Sequence, residues 1–301
     1  MNIIKYRYIW YTFSAILIGI SIFALLSFGL KQGIDFSGGS LLSVRYEAGK
    51  RPTAMEAEST LSSADLGGMV VQPVGEFDMN FRMRTLKEDE HQKVLGLLSE
   101  SYGEITELRF DSIGPVIGQE LRSKSITALI MVFISILIFI WYTFRKVSIP
   151  VKSWKYGLVT VFSAFHDVLI PVGVFAILGK FYGVEIGTSF IAAILTIMGY
   201  SINDTIVVLD RIRENLQKTS GTFVEIVNTS LNQAIVRSIN TTITTLLALV
   251  AVYFFGGESI RDFALTLIIG IATGAYSSIF IASPLLVTMY KYQQKKKAGK
   301  D

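Results

Sequence analysis

Apolar positions along this chain come in long unbroken runs, and those runs predict its architecture. No charged residue falls between Tyr8 and Leu30, Ser125 and Phe144, Ser238 and Gly257, or Phe263 and Tyr290. Each run is at least 20 residues long, and ~20 apolar residues rising ~1.5 Å apiece cross a ~30 Å hydrocarbon layer. Two further runs, 156–179 and 186–209, are long enough but interrupted, one by His166 and Asp167 and the other by Asp204. The pattern predicts an all-α bundle of six transmembrane helices. The first lies within residues 1–30, and the others at about 125–144, 156–179, 186–209, 238–257 and 263–290, with a basic tail at 291–301.

Residues 31–124 are patterned differently. Ser40 to Tyr46 reads as a strand, Thr53 to Ala64 as a short helix, and Gly68 to Val74 with Asn80 to Arg84 as a strand pair. Glu88 to Tyr102 carries Val94, Leu95, Leu97 and Leu98 at helical spacing, and Gly103 supplies a stop. Ile105 to Phe110 alternates as a last strand. The order β-α-β-β-α-β predicts a ferredoxin-like α+β domain between helices 1 and 2. His91 is expected to be a solvated helix residue, and no group here has metal-ligand spacing.

Composition and charge then assign sides. Hydrophobic residues make up 51% of the 301, charged residues 17%, and cysteine is absent, against roughly 25% charged in an average soluble domain. Disorder, a disulfide scaffold and a nucleic-acid-binding tail are excluded. Segment 31–124 holds 11 Lys/Arg and 15 Asp/Glu, so the +4 net charge of the chain resides in its other segments. Short segments rich in Lys and Arg (Lys5 and Arg7; Arg145, Lys146, Lys152 and Lys155; Arg211, Arg213, Lys218 and Arg237; the tail lysines) alternate with poor ones (Lys180; Arg261). The positive-inside rule then predicts cytoplasmic termini, residues 31–124 outside, and basic segments at anionic headgroups of the bilayer. The first run exceeds a signal-peptide core and lacks a small-x-small cleavage site, so an uncleaved anchor is expected.

Ionisable groups within a span are expensive and therefore functional candidates. Asp204 shares a helical face with Ile197, Tyr200, Ser201 and Val208, which predicts that this face points into the bundle. Arg237 opens the fifth span, which runs the other way, so it enters at a depth similar to that of Asp204, and an Asp facing an Arg at ~4–6 Å would be held ionised. A carboxylate that alternates between partnered and unpartnered settings can carry a proton. Arg237 as a snorkelling topology residue and Asp204 as a static acid stay open. Thr241 and Thr245 belong to a polar stretch suited to interhelical hydrogen bonds, and Ser201 and Asn203 flank Asp204. His166 with Asp167 reads as a helix–helix hydrogen bond ahead of a relay, and Gly270-x-x-x-Gly274 as close helix packing. Gly33 to Gly39 lacks the Gly-Lys-Ser/Thr ending of a phosphate loop and reads as a flexible exit into a strand. Asn203 stands where an intramembrane aspartyl protease needs glycine. No enzyme, metal or cofactor is expected.

The stretch Gly33-Ile34-Asp35-Phe36-Ser37-Gly38-Gly39 resembles the glycine signature of the SecD/SecF family, with Gly33, Asp35, Gly38 and Gly39 in register. Gly199-Tyr200-Ser201-Ile202-Asn203-Asp204-Thr205-Ile206-Val207-Val208-Leu209-Asp210-Arg211-Ile212-Arg213-Glu214-Asn215 resembles the family's SecF-type fourth span, and His166-Asp167-Val168 its third. The resemblance implies an accessory subunit of the bacterial inner-membrane export machinery, within the resistance-nodulation-division superfamily. It implies SecD, the SecYEG channel and translocating preproteins as partners, with proton flow coupled to translocation. Asp204 and Arg237 match the family's proton-relay residues. The SecD half of that relay is absent, so SecD is a separate chain or this one is part of a fusion. A passive scaffold and half of a small-molecule efflux pump are the alternatives.

Overall fold

The structure, a computed structural model, describes residues 2–64, 66–145 and 150–298; Lys146 and Lys300, used above to assign sides, lie outside them. In chain order the elements are α1 (Arg7–Phe28), α2 (Ile34–Ser37), β1 (Gly39–Tyr46), α3 (Ala54–Leu61), β2 (Val70–Val74), β3 (Asp78–Met83), α4 (Glu88–Tyr102) and β4 (Ile105–Ile113). Five long helical segments follow: α5 (Pro115–Phe144), α6 (Ser153–Tyr182), α7 (Thr188–Lys218), α8 (Phe223–Phe255) and α9 (Glu258–Ser277), the last continued by a π-helical turn (Ser278–Ala282) into α10 (Ser283–Ala298). Contacts divide the chain into a helical unit, Met1–Lys31 with Thr127–Asp301, and an α/β unit, Gln32–Ile126.

Among the described residues, six helices are long and apolar enough to cross a membrane: Ile4–Phe28, Pro115–Phe144, Ser153–Tyr182, Thr188–Lys218, Phe223–Phe255 and Ile260–Ala298. Several outrun the uncharged stretches, because a helix continues into water wherever capping and side-chain pairs satisfy its end. Thr222 caps α8 through a reciprocal exchange with Glu225. The charged end of α7 is laced to α8: Asn215 Nδ2 donates to Ser230 Oγ and Gln233 Oε1, both at 2.8 Å, and Arg211 Nε donates to the same Gln233 oxygen at 2.8 Å. Half or more of the apolar stretch is buried in α6, α7 and the last span, and under a fifth in α1, α5 and α8. The first three therefore form the centre.

Small residues set the central spacing. A Cβ on Gly173 of α6 would fall on Ser21 of α1, and one on Gly270 of α9 would fall on the Ile197 side chain of α7. One on Gly274 would lie 3.2 Å from Ser201 Cβ. Lipid tails are as apolar as leucine, so helices here gain by close backbone approach and polar contacts rather than by escaping water.

The α/β unit is a four-stranded antiparallel sheet in the order β2-β3-β1-β4. The alternation of β3 buries Met79, Phe81 and Met83, which pack with Leu42, Val44 and Tyr46 of β1 against Ala57 and Leu61 of α3 and Val94 and Leu98 of α4. Thr53 caps α3 by accepting from the Glu56 N–H, and Gly103 ends α4 at φ 86°. His91 differs from its expected solvated state: it is 4% exposed, with its ring stacked 3.7 Å over Phe110 and its nitrogens 3.4 Å from Glu88 and Glu107 oxygens. An imidazole one turn before Leu95 reaches the flank of the sheet, and its apolar ring faces justify that burial.

The Gly33–Gly39 segment is not a loose exit. Ile34–Ser37 forms one helical turn, and Gly38 and Gly39 adopt φ of 73° and 120°. A Cβ on Gly38 would lie 2.8 Å from Pro115 Cα, and one on Gly39 2.8 Å from the Met83 carbonyl oxygen. Gly118 approaches Gly38 from the other side, where its Cβ would stand 2.9 Å from the Gly38 nitrogen. Glycine is needed here for close backbone approach at left-handed φ.

Candidate functional site in the helical unit

Two carboxylates are buried in the centre, and the structure gives each its own set of hydroxyls. Asp167 of α6 is 0% exposed. Its Oδ2 accepts from Ser201 Oγ of α7 at 2.5 Å and from Ser277 Oγ of α9 at 2.6 Å, and Ser163 Oγ donates to Ser277 at 2.8 Å. Its Oδ1 lies 2.8 Å from His166 Nδ1. Asp204 of α7 meets Ser238 Oγ of α8 at 2.8 Å and accepts a second hydroxyl from Ser278 at the start of the π turn.

Ser277 and Ser278 are neighbours in sequence yet serve different aspartates. Successive helical residues point ~100° apart, so one helix wedged between α6/α7 and α7/α8 reaches both acids with adjacent side chains. The π turn starts at this point; such local widenings are frequent at functional sites.

A hydrogen-bond chain extends from Asp167 towards α1. Tyr276 OH donates to the Trp10 carbonyl at 3.0 Å, Ser14 Oγ lies 3.4 Å from Tyr276 OH, and His166 Nε2 lies 3.1 Å from Ser14 Oγ. Donors assigned along the chain from the Trp10 end make Nε2 a donor to Ser14. The other ring nitrogen, Nδ1, faces Asp167 Oδ1, so the imidazole links the carboxylate to α1 through Ser14.

The predicted residues separate into buried and outward-facing groups. Asp204, Ser201, Asp167 and His166 are buried, but Ser201 bonds Asp167 instead of its helical neighbour Asp204. Arg237 does not meet Asp204. Its side chain is exposed, and no ion pair joins the two among the described residues. The reason is angular: Ser238, the next residue, takes the inward position and holds the carboxylate, turning Arg237 outward. Asn203 and Thr241 are exposed as well. Of the threonines expected to bond between helices, Thr241 and Thr244 bond only their own helix, to the Arg237 and Asn240 carbonyls, and Thr245 bonds the Thr241 carbonyl, at 2.9–3.0 Å. Thr245 also lies 3.4 Å from Tyr200 OH. Ser238, the first residue of the polar stretch after Arg237, does bond between helices, whereas sequence reasoning missed Ser14, Ser163, Ser277 and Ser278. The last two continue the small-residue spacing of Gly270 and Gly274 by one turn, a signal that was available.

The family model described as "Protein export membrane protein SecD/SecF, C-terminal" matches residues 93–292, which contain both aspartates and the four serines that bond them. The model for the SecD/SecF GG motif matches residues 23–50. The protein translocase subunit SecF of Thermobaculum terrenum is 42% identical over 96% of this chain and 93% of its own length. That of Sebaldella termitidis is 36% identical over 100% and 96%. Among solved structures, SecDF of Thermus thermophilus, a translocon-associated membrane protein, superposes with TM-score 0.83 at 30% identity over 97% of this chain and 39% of that one. SecDF in its super-membrane-facing form gives TM-score 0.70 at 30% identity, with 100% and 40% covered. This chain thus spans about two fifths of the SecDF polypeptides it resembles. With six apolar spans, the glycine signature and a full-length likeness to SecF subunits, the chain belongs to the SecD/SecF family of protein-export membrane proteins.

Proposed function

We propose that this multi-pass membrane protein acts with a SecD-type partner half beside a SecYEG-type channel, coupling inward proton movement through its helical unit to preprotein translocation. The observation that carries the reading is the setting of Asp204. A carboxylate in the middle of a span, held by two serine hydroxyls and paired with no cation among the described residues, sits one residue from an exposed polar face. Asn203, Arg237, Asn240, Thr241 and Thr244 form that face within apolar helices. Hydrocarbon is a poor solvent for an asparagine amide or a guanidinium, so the face calls for a polar protein neighbour. In this reading Arg237 and that neighbour complete a proton path with Asp204.

The reading keeps both termini cytoplasmic and residues 31–124 outside the bacterial inner membrane, supported by the alternation of basic segments. It takes the α/β unit as a ferredoxin-like lever or binding module. The β-α-β-β-α-β order and the β2-β3-β1-β4 sheet support that assignment.

The test is Asp204→Asn in vesicles holding the whole export complex. The expected result is preprotein export reduced to its gradient-independent level. A passive scaffold is the second reading, favoured by the way serine hydroxyls already satisfy Asp204 as they would a static acid. Undiminished, gradient-sensitive export in the variant would establish the scaffold instead.

A further inference from the structure

At one end of the helical unit a cavity of about 680 Å³ opens between the first turn of α6 and the side of α10. Trp154, Lys155, Met289, Tyr292, Lys296 and Lys297 line it. We propose that this cavity is a binding site for one anionic phospholipid, its phosphodiester held by the lysines and an acyl chain laid along Trp154 and Met289. The inference rests on the membrane reading of the helices but on no particular function for them.

Placement comes first. The uncharged part of α6 begins at Tyr156 and that of the last span ends at Tyr290, so the cavity straddles the level at which hydrocarbon meets water. Trp154 and Tyr292 are largely exposed there, as amphipathic aromatic rings are at such boundaries. Charge comes second. Lys155 is 9% exposed, and its ammonium donates to the Met289 carbonyl at 3.3 Å and to Gln293 Oε1 at 2.8 Å. Both acceptors are neutral, so a nearly buried cation keeps its charge uncompensated. Lys296 and Lys297 stand exposed at the rim, and among the described residues no carboxylate pairs with any of the three lysines. Three cations beside an apolar slot match an anionic headgroup on an acyl chain. A zwitterionic headgroup brings its own cation to the same place and fits less well.

The chain has three tryptophans, Trp10, Trp141 and Trp154, so Trp154 fluorescence is obtained as the difference between the full-length chain and its Trp154→Phe variant. Both are reconstituted in vesicles with rising fractions of dibrominated phosphatidylglycerol or dibrominated phosphatidylcholine. The expected result is half-quenching of Trp154 at about tenfold lower fraction of the anionic lipid, as three favourable lysine contacts allow. K296E/K297E abolishes the preference, whereas K291E/K295E, the same charge change on the α10 face that does not line the cavity, retains it. Lys155→Met weakens the preference and serves as the second variant. Equal quenching by the two lipids overturns the proposal. Equal loss in both double variants also overturns it, in favour of a diffuse surface field. Loss of the preference on adding excess inorganic phosphate overturns it in favour of a free-anion site. Quenching by neither lipid overturns the membrane reading and the site with it.

Discussion

The two units of this protein keep their polar groups in opposite places. In the α/β unit the core is built from apolar side chains such as Phe81, Leu42, Val44 and Leu98, with His91 at its flank, and its arginine ion pairs lie outside, as with Arg45 and Asp78 at 2.6 Å. In the helical unit the outer surface is apolar, with Phe23, Ile130, Trp141 and Leu247 exposed, while Asp167, His166, Asp204 and a set of serines are interior. The difference follows from the solvent. Water rewards burial of apolar area at roughly 25 cal/mol per Å², so a water-soluble unit is held by its large side chains. Hydrocarbon gives no such reward, so the helical unit is held by small residues and hydrogen bonds. The same constraint concentrates its chemistry, because the interior is where a charge can be paired.

The sharpest way to break this comparison is to enlarge a small residue in the helical unit. Gly173→Leu drives a side chain into Ser21 of α1. Because both backbones must separate, the cost reaches or exceeds the ~1–3 kcal/mol of ordinary overpacking. The expected outcome is aggregation of the detergent-purified chain well below the parent's melting temperature; an unchanged melting curve would show that close approach does not hold this bundle. The matching change in the α/β unit runs the other way. Phe81→Ala empties a fully buried position and is expected to lower the opening free energy of the β1 and β3 amides by about 3–5 kcal/mol. Hydrogen exchange on the full chain reads it, and the α6 and α7 amides are expected to keep their protection.

A smaller effect tests where charge matters in the α/β unit. Glu90 takes hydrogen bonds from the Arg84 guanidinium and the Lys87 backbone N–H, which together hold its carboxyl at about 2 against an ordinary 4.5. A depressed folded-state value means that the unfolded chain binds the proton first. The stabilisation is therefore complete above about 4.5 and is lost as pH falls through about 2. Protection of the α4 amides, corrected for intrinsic exchange, is expected to fall across that window in the parent and to fall less in Glu90→Gln. Equal slopes would remove this pair from the account. The smallest expected change is stabilising: a Cβ on Gly96 of α4 meets nothing within 4 Å, so Gly96→Ala should raise helix protection by about 0.5–1 kcal/mol. Glycine thus has opposite value at these two helix positions: open room surrounds Gly96, and a neighbouring backbone crowds Gly173.

Much of this division was legible before any coordinates. Charge-free runs longer than a bilayer is thick mark the spans whatever their packing, and Thr53 and Gly103 mark helix ends through local chemistry. Asp204 stood out because the cost of a charge in hydrocarbon is a property of the residue and its run. The site itself was only half legible. Periodicity placed Ser201 and Asp204 on one inward face, yet a face ~100° wide does not say which neighbouring helix meets which residue. Ser201 went to Asp167 on α6, and Asp204 went to α8. The facing of Arg237 was illegible for the same reason, since one residue of helical phase decides whether the arginine or Ser238 points inward. His91 was misread because a single histidine carries no period of its own.

What the sequence determined alone is whatever depends on one residue and its chain neighbours: span length, the mixed character of residues 31–124, helix caps, and the presence of two acids where acids are costly. Hydropathy, propensity and capping act within a few residues, so a linear reading captures them. Tertiary structure alone decided the partition of Ser277 and Ser278 between two aspartates, the Asp167–His166 pair reaching Ser14 and Tyr276, the outward turn of Arg237, and the close approach that makes Gly38, Gly39 and Gly173 necessary. Each of these depends on the distance between segments far apart in the chain, and that distance is set by packing, which no local pattern encodes.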